Sequence, residues 1–215
     1  MNERDIIKKS PLFAGFGDSQ LDEALALYKA KRAEYPRGAA LANAGDKLEC
    51  FGLVLSGGVQ VSSEDVDGNT VIMAAVGPGG MFGESLCWLA APAIGLRITA
   101  VSETRVLWLS PDFMRGDAKE PCGGEHRRRF VNNLATRTLY MNSRVQVLAR
   151  SGIRGKLALF FKQYGSHGGA AFEIPFDRES LAAYLGVNRS ALSRELANMK
   201  REGLIDYYKN SFRLL

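Results

Sequence analysis

The chain has 215 residues, a formal net charge of +5 and 46% hydrophobic residues, which suits a globular protein of one large or two modest domains. No apolar run approaches the ~20 residues that span a bilayer, and the opening MNERDIIKKS lacks the apolar stretch of a secretory signal; a cytoplasmic protein is expected. Cys50, Cys87 and Cys122 are too few and too scattered for a disulfide framework, and none pairs at C-x-x-C spacing, so free thiols are expected and a zinc or iron–sulfur site is not.

The charge is unevenly placed. Residues 1–120 carry 12 Lys and Arg against 16 Asp and Glu, net −4; residues 121–150 carry 6 against 1, net +5; residues 151–215 carry 10 against 6, net +4. An acidic first half and a basic second half imply different partners, and a polyanion such as DNA suits the second.

In chain order, Ile6 to Leu27 reads as helical, with Leu21, Leu25 and Tyr28 at helical spacing. From Lys31 to Ser110 short β-rich runs alternate with glycine turns: Leu53–Leu55, Val59–Val61, Val71–Met73, Ile98–Val101 and Arg105–Leu109. That texture argues for a β-sandwich or barrel, with a hairpin at Asp65–Asn69. From Gly123 to Arg150, Val131, Leu134, Thr138, Met141, Val145 and Leu148 are spaced 3, 4, 3, 4, 3, the a/d seam of a coiled coil. A self-packed helix is the alternative; a two-fold dimer seam is preferred. After Ser151-Gly152, Lys156–Tyr164 reads as a helix, 166–169 as a loop and Phe172–Phe176 as a short strand.

The next stretch, FDRESLAAYLGVNRSALSRELANMKREGLI (residues 176–205), predicts two helices joined by a tight turn. Asp177 can cap the first and Asn188 the second. Leu181 and Leu185 share a face, and Gly186 supplies the permissive backbone of the turn. In the second helix Leu192, Leu196 and Met199 form an apolar stripe. At about 100° per residue, Ser190, Ser193, Arg194, Ala197 and Arg201 point the other way. Small residues plus Arg suit close approach to DNA, where Arg can bind guanine O6 and N7 together.

This stretch resembles the helix-turn-helix of the Crp/Fnr family of bacterial transcription regulators. The resemblance implies phosphate contact by Arg178 and base or phosphate contact by Arg189, Ser190, Ser193 and Arg194, with a wing at Asp206–Leu215. Gly45-Asp46, Leu55-Ser56-Gly57 and Met81-Phe82-Gly83-Glu84 resemble the double-stranded β-helix of cyclic-nucleotide-binding domains. The fold expected is therefore α+β: a jelly-roll sensor domain (1–120), a long dimerisation helix (121–150) and a winged helix-turn-helix (151–215). The resemblance implies double-stranded DNA, a second copy of the chain and RNA polymerase as partners, with no membrane.

In that family a Gly-Glu pair is followed about ten residues later by an arginine that takes the cyclic phosphate, while the glutamate takes the ribose. Here Gly83-Glu84-Ser85 is followed at that distance by Ile94, and Arg97 comes three places late. An anion needs charge-assisted bonds, so an effector other than cyclic AMP is expected. The apolar segment Cys87–Ile94 would suit a hydrophobic or aromatic ligand, with Trp88 either a wall of its site or part of the core; Glu84 is either a ligand contact or structural. Gly83, Glu84, Ser85, Trp88 and Arg97 are the candidate effector residues. Heme and iron–sulfur clusters are not expected: no cysteine precedes Cys50, and His126 and His167 lie outside the barrel at surface loops or helix ends. The competing readings are a cyclic-AMP-responsive regulator and a cupin-like metalloenzyme. The second needs histidine ligands that residues 31–110 lack, and no enzymatic activity is expected.

Overall fold

The computed structural model describes residues 2–64, 70–115, 123–165, 170–174 and 176–215. The expected hairpin at Asp65–Asn69, the loop at 166–169, Cys122 and His167 lie outside them. The chain forms two compact units, Met1–Ala135 and Thr136–Leu215.

In the first unit, helix α1 (Glu3–Lys8) starts at Asn2, whose side chain accepts from the Arg4 N–H while Asp5 accepts from the Asn2 N–H. The continuous helix expected over Ile6–Leu27 is broken. Pro11 and Gly15, at φ +80°, end the regular pattern, and α2 (Asp18–Leu27) begins afresh after Gly17. The β-rich stretch then gives β1 (Lys31–Tyr35), β2 (Ala40–Ala42), β3 (Phe51–Ser56), β4 (Val59–Glu64), β5 (Thr70–Val76) and β6 (Met81–Phe82). A short helix, α3 (Glu84–Leu89), precedes β7 (Leu96–Ala100) and β8 (Thr104–Leu109). Helices α4 (Asp112–Arg115) and α5 (Gly123–Leu148) follow. All five apolar runs foreseen as strands fall in or against β3, β4, β5, β7 and β8.

The strands form two antiparallel four-stranded sheets, ordered β1-β8-β3-β6 and β2-β7-β4-β5. Apart from the β4–β5 pair, chain neighbours alternate between sheets, as in a jelly roll. Strand β3 is buried along nearly its whole length because both of its faces are covered. Phe51, Leu53 and Leu55 pack with Phe13 between α1 and α2, Tyr28 at the end of α2 and Phe130 of α5. Val54 points the other way, into the roll, with Phe82, Ile98 and Val106. Gly52 shares that inner face. A Cβ there would run into the Phe82 ring, so the close approach requires glycine. Phe82 in turn meets Trp108 edge-on at 5.5 Å.

His126, expected at a surface loop or helix end, is 4% exposed. It sits 5.3–5.6 Å from the rings of Phe16, Tyr28 and Phe113. Burial holds its pKa below the usual imidazole range.

The second unit contains the end of α5, then α6 (Gly152–Tyr164), β9 (Phe172–Glu173), α7 (Arg178–Leu185), α8 (Arg189–Arg201), β10 (Ile205–Tyr208) and β11 (Ser211–Leu214). Its sheet is ordered β10-β11-β9. Strand β9 is shorter than the expected Phe172–Phe176, although the Ile174 N–H still donates to the Asn210 carbonyl at 3.0 Å. Val147, Phe160, Phe161, Leu181, Leu192 and Phe212 are among its core.

Helix α5 is 26 residues, about 39 Å at 1.5 Å per residue. Phe130 is buried in the first unit and Val147 in the second. The heptad seam lies on a neighbouring face. There Val131 is 51% and Val145 59% exposed, Thr138, Met141 and Leu148 are also exposed, and Leu134 is half-buried against the first core. Among the described residues, no helix is long and apolar enough to cross a membrane.

Candidate nucleic-acid interface and effector region

The helix pair α7–α8 is built by local chemistry. Asp177 Oδ1 accepts from the Ser180 N–H at 2.7 Å, capping α7. That bond holds the Asp177 carboxyl below the usual carboxylate range. Gly186 ends α7 in the left-handed region at φ +60°. Asn188 Oδ1 then accepts from the Ser190 N–H at 2.9 Å and starts α8. Leu192, Leu196 and Met199 are buried, while Arg189, Ser190, Ser193, Arg194, Ala197 and Arg201 are exposed. The exposed side of α8 is therefore short, polar and cationic.

Ser190 Oγ donates to Asn188 Oδ1 at 2.6 Å, so the exposed hydroxyl keeps its capacity to accept. Arg201 donates to Asn198 at 2.6 Å. Arg194 makes no hydrogen bond or ion pair among the described residues, so its guanidinium is available to a ligand.

Two contacts that hold α8 and the wing had no signal in the sequence. Arg154 of α6 reaches Glu195 at 2.5 Å and binds Glu202 through both terminal nitrogens at 2.8 and 2.9 Å. Its pKa is raised, chiefly by the bond to Glu202, and that of Glu202 is lowered in return. Two carboxylates flanking the cationic face of α8 are thus neutralised from the neighbouring helix.

Arg178, the first residue of α7, is half-buried. Its Nη2 donates to the Lys209 carbonyl at 2.8 Å, and its Cζ lies 5.0 Å from the ring centres of both Tyr207 and Phe212. The expected phosphate ligand is, in this structure, occupied with the wing.

The candidate effector residues do not converge. Gly83 takes a left-handed turn at φ +79° and starts α3, and Ser85 is exposed. Glu84 is 2% exposed and accepts from Asn133 Nδ2 of α5 at 3.3 Å. Trp88 takes the core reading: its ring lies 5.1 Å from Phe130 and packs on the first hydrophobic cluster. Arg97 is elsewhere, on the outer face of β7, because its strand neighbours Ile98 and Ala100 turn inward. There it borders a groove of about 470 Å³ whose lining mixes Asn43, Gln60, Ser62 and Thr99 with Leu96 and Val101. Ile94, in the slot where a cyclic phosphate would need a cation, is 80% exposed and apolar. The residues present do not fit a cyclic nucleotide held in the manner that the sequence resemblance implies.

The cyclic nucleotide-binding domain family matches residues 32–116, and the Crp-like helix-turn-helix domain family matches residues 155–215, together about two thirds of the chain. The chain belongs to the Crp/Fnr family of transcription regulators.

Curated relatives agree along nearly the whole length. The cyclic AMP receptor protein of Thermus thermophilus is 28% identical over 201 residues, covering 93% of this chain and 89% of that one. The CRP-like cAMP-activated global transcriptional regulator of Mycobacterium tuberculosis is 24% identical over 208 residues, covering 94% and 90%. Among solved structures, the c-di-GMP responsive global regulator CLP of Xanthomonas campestris has the same fold, with TM-score 0.60 at 18% identity, covering 92% of this chain and 99% of that one. Crp/Fnr proteins are transcription regulators rather than enzymes, and the two matched domains give this member a DNA-binding head and a small-molecule sensor fold.

Proposed function

We propose that this chain acts as a homodimer on a palindromic operator, two copies of α8 entering successive major grooves about 34 Å apart. The observation that carries this reading is the exposed Arg189-Ser190-Ser193-Arg194 face of α8, set on a helix whose opposite side is sealed into the core. The homodimer reading is supported by the apolar seam of α5, which stays exposed in one chain. Residues 1–120 act as sensor, 121–150 as dimerisation helix and 151–215 as DNA-reading module. The regulator works in the cytoplasm and engages RNA polymerase at its promoters.

The effector is a small molecule other than cyclic AMP. Ile94 supplies no charge to a cyclic phosphate, and Glu84 is already bonded to Asn133. A cyclic-AMP-responsive regulator is the second reading, favoured by the names of the relatives in Thermus and Mycobacterium. A pool of random duplexes selected on the purified protein tests the first proposal. Enrichment of a two-fold symmetric site supports it, and failure to enrich any sequence in the presence or absence of cell metabolites overturns it. A thermal-shift screen with cyclic AMP decides between the effector readings.

A further inference from the structure

We propose that Arg178 is a positioning residue for the wing, acting on DNA through Lys209 rather than by touching phosphate itself. The inference rests on the DNA-reading role of α8 proposed above and concerns how the wing joins it.

Tyr207 and Phe212 are direct cross-strand partners in the β10–β11 hairpin, so their rings share one face, with centres 5.6 Å apart. The Arg178 guanidinium lies across both, 5.0 Å from each ring centre. Stacking over two rings while bonding a carbonyl needs a flat cation with fixed donors, which arginine has and lysine lacks. Its Nη2 is committed to the Lys209 carbonyl, and Nη1 is buried. Held in this way, the guanidinium is turned onto the wing, with Nη2 bonded there and Nη1 shielded from solvent without a hydrogen-bond partner among the described residues.

The residue it grips is itself unusual. Lys209 sits at the hairpin turn at φ +50°, a left-handed conformation that a side chain disfavours. Such a residue keeps its shape when its surroundings hold it. Two bonds from outside the hairpin hold this turn: Arg178 on the Lys209 carbonyl, and the Ile174 N–H on the Asn210 carbonyl. The turn thereby projects the exposed Lys209, with its ammonium 5.6 Å from the ring of Tyr208, itself 74% exposed. A cation displayed on a fixed turn beside a recognition helix is suited to the DNA backbone flanking the site that α8 reads.

The test is a double-mutant cycle in the full-length protein. Affinity for a selected operator with ten flanking base pairs on each side is measured by fluorescence anisotropy for R178A, K209M and the double variant. Each single change is expected to weaken binding about 5- to 10-fold, and the double variant is expected to match the singles, because both remove the same contact. R178K is expected to bind like R178A, since lysine keeps the charge but loses the stacked fork. Losses that multiply in the double variant, or full rescue by R178K, would assign Arg178 to phosphate and overturn the proposal. If R178A folds poorly, R178M, which keeps the apolar stem, carries the same cycle. R194A runs alongside: unchanged operator binding there would refute the role of α8, whatever the cycle shows.

Discussion

Replacing Arg194 with alanine tests the reading face while sparing the fold. The side chain is exposed and makes no bond among the described residues, so its removal leaves no buried group unsatisfied. A surface change of that kind alters stability within about 0.5 kcal/mol, and the thermal midpoint should scarcely move. On DNA the arithmetic differs. A bidentate arginine–guanine pair discriminates by about 1–3 kcal/mol. At 1.4 kcal/mol per tenfold, that is a loss of roughly 5- to 150-fold on the operator. Random duplex of equal length loses only the general charge contribution, and the slope of log affinity against log salt falls by about 1 if a phosphate contact goes with it. Anisotropy titrations on both duplexes at three salt concentrations measure these quantities. Equal losses on operator and random DNA would show that Arg194 reads no base. A large drop in the melting midpoint would show that the side chain is structural, contrary to its exposure.

Three further outcomes are expected. Met141→Glu places two carboxylates against each other at the seam of α5, and light scattering should show monomers at concentrations where the parent chain is dimeric; a dimeric variant would contradict the seam. Asp177→Ala should remove a capping bond and cost about 1 kcal/mol near neutral pH. Because folding lowers the Asp177 pKa, its contribution is present above the unfolded value near 3.9 and is lost as pH falls through the lower folded value. Parent and variant should therefore converge in denaturant melts at about pH 2, and an undiminished difference there would show that the carboxylate charge is irrelevant. Cyclic AMP at roughly 100 times a micromolar dissociation constant would add about 2.7 kcal/mol to the stability of a binding protein; here the melting midpoint should stay put, and a shift of several degrees would restore the cyclic-AMP reading.

The legible parts of the molecule are those set by neighbours in sequence. Asp177, Gly186 and Asn188 act on residues two to four positions away, so the helix pair could be placed from the letters alone. The apolar runs of β3, β4 and β8 were equally plain, since each strand carries its own alternation or burial. Arg97 was grouped with Glu84, and only the alternation of β7, with Ile98 and Ala100 turned inward, sets it on the outer face away from that residue. What stayed hidden depends on long-range partners. Trp88 could have lined a ligand site until Phe130, 42 positions later, was found against it. The bond of Glu84 to Asn133, the grip of Arg154 on Glu195 and Glu202, and the stacking of Arg178 on the wing all join segments with no local signature. His126 lies in the first turn of α5, a helix end as expected, but its burial had no local signal: a histidine near a helix start says nothing about the three aromatic rings that enclose it. The break in the N-terminal helix, by contrast, was readable in Pro11, Gly15 and Gly17.

The roll of the first unit carries a built-in plug. Phe82 rests on Gly52 and is braced by Trp108, so its ring occupies part of the space between the sheets. Cutting Phe82 back to alanine would leave an apolar hole of the kind that stays dry and admits benzene in other proteins. A domain from a nucleotide-receiving fold would then host a hydrocarbon, with room made by subtraction and none of the hydrogen-bonding groups that a phosphate demands.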